Sequence, residues 1–376
     1  MMRSTLIRHL GITVTAAVLL LALTYALDPF RDYQLATAAA YLCAAAGLTV
    51  LTGLNGQLSL GHGALMAIGG YTVALAQNQF GAHNLSTLWI LPLSLAAGVC
   101  AAAAVGAVVG VAAARLRGPY LAGLTLVVAV AVPAVATLYG SVFHGDQGLP
   151  VYLPPAPAVL GETFPFERWL AWLALAAALL TMFLLANLVH GRFGRTLRAV
   201  RDDEVAARLA GISVARTQVL AFVVSAACAG LGGGMFAVLA QSVSPGAFAL
   251  TLSLNLLLAV VVGGLGSLAG AVWGSLLLVA LPYLTDQVTG GLAPSPALQH
   301  RLAGNLPLAL FGLLLIVMMI AAPSGIQGLL NRAGRWAYRR RSGRAVRRAG
   351  PSAPVPPAHG VSAHEPEPPA PAASRS

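Results

Sequence analysis

The sequence predicts an all-α integral membrane protein of about eight to ten transmembrane helices, interrupted by Gly-rich broken or re-entrant segments. Three observations carry this. Hydrophobic residues fill 58% of 376 positions and charged residues 9%, against about 25% charge in a soluble domain. Apolar runs near 20 residues recur along the chain, the length that crosses a hydrocarbon core. Every one of the 22 basic residues is an arginine, and they gather beside alternate runs, which is a topological signal rather than a nucleic-acid-binding one.

The runs lie near 10–27, 34–52, 58–76, 89–114, 119–139, 169–190, 217–240, 252–264, 270–284 and 303–322. The first follows Arg3 and Arg8 and is too long for a cleavable signal core, so it reads as a span. The eighth and ninth are short and Gly-rich, as half-helices or one bent pair would be. With the amino terminus inside, 19 of the 22 arginines fall on the cytoplasmic side, and only Arg31, Arg168 and Arg301 fall outside. Both termini are therefore expected in the cytoplasm. Residues 1–331 form the membrane domain in this reading. An Arg-rich patch from Arg332 to Arg348, suited to the anionic inner leaflet, leads into a Pro/Ala tail expected to be disordered.

Composition excludes several chemistries. No acidic residue falls inside a predicted span, whereas ion-coupled carriers need an ionisable group near mid-membrane. A chain without lysine cannot form the GxxxxGK[ST] phosphate loop, so any ATP is bound elsewhere and no cofactor is expected here. Ser59 and His62 are three apart, but no acidic orienter or G-x-S-x-G elbow accompanies them, which argues against hydrolysis. Cys43, Cys100 and Cys228 sit in apolar stretches without metal-ligand spacing.

The long polar stretch Gly191–Arg216 holds a short helix. Asp202 is its expected N-cap, Asp203 and Glu204 its first turn, Arg208 its last turn and Gly211 its left-handed C-cap. Such a helix, carrying small residues between charges, fits either a docking role or a solvated connection.

Ala206-Ala207-x-x-x-Gly211 after Glu204 resembles the EAA-type coupling motif of ATP-binding cassette (ABC) importer permeases, with Val205 interrupting the Glu-Ala-Ala run. Further strings are similar to the branched-chain amino acid permeases of the LivM type. They are Gly56–His62 (GQLSLGH), Arg115–Leu121 (RLRGxYL), Gly145–Leu149, Gly194–Glu204 and Gly263–Leu268, in order over residues 35 to 330. The resemblance implies an ABC importer permease fold, a second permease subunit of LivH type, two cytoplasmic ATPase subunits and an extracytoplasmic substrate-binding protein. It places Asp203, Glu204, Ala206, Ala207 and Gly211 at the ATPase contact. Urea or short-chain amide permeases share these motifs and remain an alternative cargo class; an ion-coupled carrier is the alternative of another class.

Residues 53–70 hold six glycines together with Asn55, Gln57, Ser59 and His62. They fit a broken segment lining a translocation pathway, or close helix packing through small residues. Asn255 is a further polar residue in an apolar run, suited to the pathway or to an interhelical hydrogen bond. Pro133 is expected to kink the fifth span, Ser244-Pro245 to end the seventh, and His144 and Asp146 to face the outside.

Overall fold

A computed structural model describes residues 2–82, 87–116, 118–152, 164–291 and 324–333, with isolated positions at 156, 160, 161 and between 306 and 335. The chain divides into two units, Met1–Leu330 and Asn331–Ser376. The predicted tail beyond Arg335 and about half of the tenth run lie outside the described residues.

The first unit is a helical bundle. Its elements are α1 (Met2–Ala26), α2 (Pro29–Leu48, continued by a π-helical turn Thr49–Leu54), α3 (His62–Ala82), α4 (Thr87–Ala113), α5 (Pro119–Leu138), α6 (Gly140–Phe143), α7 (Phe166–His190), α8 (Arg192–Asp202), α9 (Glu204–Leu209), α10 (Val214–Ala240), α11 (Leu250–Gly264) and α12 (Leu268–Gly291). Among the described residues, seven segments are long and apolar enough to cross a membrane, namely Leu6–Ala26, Pro29–Leu54, Trp89–Ala113, Pro119–Leu138, Phe166–His190, Val214–Ala240 and Pro245–Gly264. α3, diluted by Gln77, Asn78 and Gln79, and the shorter apolar stretch Leu268–Leu284 complete the bundle.

α10 is the central helix and packs on α2, α3 and α4. Between helices that share a lipid solvent, association rests on close van der Waals fit, which small residues permit. Along α10 they supply it. A Cβ at Gly230 would meet the Ala102 methyl at 2.5 Å, one at Gly232 the Ala40 carbonyl at 2.7 Å, and one at Gly233 the backbone of Met66. α11 and α12 pack together across the tight turn at Gly264–Ser267, closer to the bent pair than to the separate half-helices that the sequence allowed.

The end of the bundle that the arginine distribution assigns to the outside departs from expectation at two places. α10 stops at Ala240, where Gln241 turns left-handed (φ 53°), well before Pro245. Ser242–Val243 then pairs antiparallel with Leu149–Pro150, a two-residue ribbon (β1–β2) that ties the loop after α6 to the end of α10. Asp32, placed by sequence in an outer loop, lies inside α2 because Pro29 starts that helix one turn earlier. It is fully buried, and Arg168 of α7 donates to it at 3.4 Å while lying over the ring of Tyr25. Its place in the first turn keeps it far from mid-membrane.

Candidate functional site: a doubly capped short helix and a broken membrane helix

Gly191 ends α7 and lets the chain fold back at once into α8, with a Cβ at Gly194 excluded by the backbone of Val189. α8 is strongly amphipathic. Gly194, Leu197 and Val200 point inward, while Arg192 and Arg195 point away. Asp203 then adopts an extended backbone (φ −157°, ψ 110°) that separates α8 from α9. The N-cap is therefore Asp203 rather than Asp202, which closes α8 instead. The Asp203 carboxylate accepts from the backbone N–H of Val205 at 2.8 Å and of Ala206 at 3.0 Å.

The other end of α9 is closed equally completely. Gly211 sits at φ 80°, its N–H bonds the Arg208 carbonyl at 2.9 Å, and the Ile212 N–H bonds the Ala207 carbonyl at 3.0 Å. This is a Schellman closure, which relieves the orphan carbonyls of the last turn. Glu204 pairs with Arg208 at 3.5 Å and accepts from Gln218 of α10 at 3.1 Å.

The burial pattern sorts the sequence-predicted residues. Ala207 is buried in a small cluster with Val200, Val214 and Ile212, and so fastens α9 to α8 and α10. Ala206, Asp203 and Gly211 are exposed, and Glu204 is half-buried. The most prominent apolar side chains of α9 are Val205, 66% exposed, and Leu209, 85% exposed. Sequence reasoning passed over both. Their signal is an i, i+4 apolar pair on a helix otherwise charged or Ala, a spacing that puts them on one face. Beside them a cavity of about 410 Å³ is lined by Ala114, Leu116, Glu204, Arg208, Gly211 and Gln218.

The second feature is a break between α2 and α3. The π turn Thr49–Leu54 passes into an irregular segment up to Gly61, and α3 starts only at His62, later than the run near 58–76 suggested. Non-helical backbone at such a place must find partners within the protein. The Leu60 N–H bonds Thr125 Oγ1 of α5 at 3.0 Å, and the Gly63 N–H bonds Ser253 Oγ of α11 at 2.9 Å. Asn55 Nδ2 donates to Gln57 Oε1 at 2.8 Å, and the Gln57 carbonyl accepts from Thr52.

The backbone of the break is served, yet several of its side chains are not. Asn55 Oδ1, Ser59 Oγ and both imidazole nitrogens of His62 are buried without a hydrogen bond among the described residues. The Ala44 backbone lies close to the His62 ring but outside hydrogen-bonding geometry. The structure thus brings Asn55, Gln57, Ser59 and His62 into one segment. Asn255, whose Oδ1 is also buried and unpartnered, follows Ser253 by two positions on α11. Two positions are roughly 200° apart around a helix, so Asn255 does not share the Ser253 face that meets α3.

The two features are joined by one residue. Arg201 of α8 donates from Nη1 to the Gly53 carbonyl at 2.7 Å, while its side-chain stem lies against Gly56. Gly53 in turn packs on the backbone of Gly266, at the turn between α11 and α12.

A multi-pass helical bundle with a broken, polar segment inside it and a doubly capped helix outside it is a membrane permease. The chain belongs to the family described as branched-chain amino acid transport system / permease component, whose profile matches residues 31–323. It is similar to the high-affinity branched-chain amino acid transport system permease protein LivM of Escherichia coli K12, with 32% identity over 76% of this chain and 67% of that protein. It is also similar to BraD of Pseudomonas aeruginosa, with 26% identity over 77% and 91%, and to LivH of Escherichia coli K12, with 25% identity over the same shares. No solved structure matches.

Proposed function

We propose that this chain is the LivM-type permease subunit of an ATP-driven importer for branched-chain or other hydrophobic amino acids in a bacterial inner membrane. The observation that carries the reading is α9. A six-residue helix has little stability of its own, yet here both ends are capped, one face is buried, and Val205 and Leu209 project into solvent. A rigid element of this kind transmits force, and an apolar tip edged by charge suits a protein partner. The partners in this reading are a LivH-type permease, two cytoplasmic ATPases that seat α9, and an extracytoplasmic binding protein that delivers the substrate.

The charge split supports the orientation, with both termini and α8–α9 in the cytoplasm. ATP stays on the partner subunits. The unpartnered polar atoms of Asn55, Ser59 and His62 support a passage along the break, where the substrate or its water would supply the missing hydrogen bonds. The cargo assignment rests on the branched-chain amino acid transport systems to which the similar proteins belong, and the ligand of the cognate binding protein tests it.

The test of the coupling role is a cysteine at position 209 in the assembled transporter. Leu209→Cys crosslinks to the ATPase subunit, in a nucleotide-dependent manner, while Tyr152→Cys, an exposed position at the other end of α10, does not. Equal crosslinking from both positions, or none from 209, removes the reading.

A further inference from the structure

Beyond the transport reading, the cytoplasmic ends of α4 and α10 form a site with a different ligand chemistry. A groove of about 510 Å³ is lined by Val111, Ala114, Arg115, Arg216, Val219 and Leu220. Its wall is apolar and outward-facing, with Val111 51% and Leu220 48% exposed. Its mouth holds two guanidiniums, and neither Arg115 nor Arg216 has an ion-pair or hydrogen-bond partner among the described residues.

Arg216 is also on the unfavourable end of its helix. It stands in the first turn of α10, which carries no acidic residue of its own and for which Ser213 provides no side-chain cap; Glu204 of α9 meets α10 at Gln218 instead. Two unpaired cations and an uncapped helix start above an apolar wall call for one amphipathic anion. We propose that this groove holds a single anionic phospholipid. Its phosphate lies between Arg115, Arg216 and the first turn of α10, and an acyl chain runs along Val111, Val219 and Leu220. Such basic, lipid-facing recesses on the cytoplasmic side suit anionic headgroups. The groove shares Ala114 and Ala215 with the cavity beside α9, so an occupied site would brace the start of α10 where α9 rests on it.

Native mass spectrometry of the full-length chain, purified in detergent and mixed with dioleoylphosphatidylglycerol or dioleoylphosphatidylcholine, tests this. One phosphatidylglycerol is retained in preference to phosphatidylcholine. The double variant Arg115→Gln/Arg216→Gln lowers that retention on the order of tenfold or more, and Arg115→Lys/Arg216→Lys retains most of it. The charge-matched double variant Arg192→Gln/Arg195→Gln leaves it unchanged, and glycerol 3-phosphate does not displace the lipid. Equal loss from both glutamine pairs, equal retention of the two lipids, or displacement by glycerol 3-phosphate overturns the proposal. Thermal melting of each variant in the same detergent separates loss of the site from loss of the fold.

Discussion

α9 and the break at 55–62 are both short departures from regular membrane-spanning helix, and they treat their polar groups in opposite ways. Around α9 the Asp203 cap, the first-turn acid and the carbonyls of Ala206, Ala207 and Arg208 have partners. In the break the backbone is served by Thr125 and Ser253, but Asn55, Ser59 and His62 keep buried atoms with none. Each such atom costs about 1–3 kcal/mol. A chain that closes one element fully and leaves the other incomplete separates a stiff part from an adaptable one. Stiffness suits an element that is pushed, and unspent hydrogen-bonding capacity suits an element that something passes.

The largest effect expected from testing this contrast is at the tip of α9. Leu209→Asp replaces an apolar side chain that makes no packing contribution of its own at 85% exposure. It should leave the subunit folded while weakening ATPase association by about 2 kcal/mol or more, the scale of an interface hot spot. Pull-down of the ATPase, with thermal melting of the subunit alone, reads both. A parallel loss of melting temperature would show that Leu209 serves the fold instead.

Next comes the link between the regions. Arg201→Met keeps the stem that lies on Gly56 and removes the charged donor to the Gly53 carbonyl. A charge-assisted bond of this kind is worth about 1.5–3 kcal/mol. The expected outcome is ATP hydrolysis that continues while substrate uptake falls about tenfold, measured together in proteoliposomes. Uptake and hydrolysis falling in step would mean that Arg201 merely supports α8. A smaller change follows at the cap. Asp203→Ala removes two bonds to α9 and should destabilise it by about 1 kcal/mol, with Asp203→Ser recovering most of the loss. Proteolysis at 204–211 reports it.

Much of this architecture was legible in the chain, because its signals are local. Span length and the Gly211 stop depend on residues near one another in sequence, and the bundle follows them. The one-residue error at the N-cap has a local cause too. Asp202 and Asp203 are both competent caps, and the choice is made by Arg201, which holds the Asp202 carboxylate at 2.9 Å, and by the cluster of Val200, Ala207 and Val214 that fixes where α9 restarts. The burial of Ala207 and the exposure of Leu209 required knowing which face of α9 meets α8 and α10. The Asp32–Arg168 pair spans 136 positions, and the Arg201–Gly53 bond 148. No periodicity carries such pairings.

The smallest expected effect has the opposite sign, and it is the sharpest test of the contrast. Ser59 is 1% exposed and its hydroxyl has no partner. Ser59→Ala removes only that oxygen, so the subunit gains nothing from its presence and is relieved of a buried, unsatisfied group. The variant should melt at the same temperature or slightly higher, with a gain up to about 1 kcal/mol, whereas the same kind of truncation at Asp203 destabilises. If the break is the passage, substrate uptake by Ser59→Ala falls even as stability holds or rises, because the hydroxyl's hydrogen bond is made only when something is there to receive it. A drop in stability would mean that the hydroxyl is already bonded in the resting subunit, and that the break is as closed as the helix it was contrasted with.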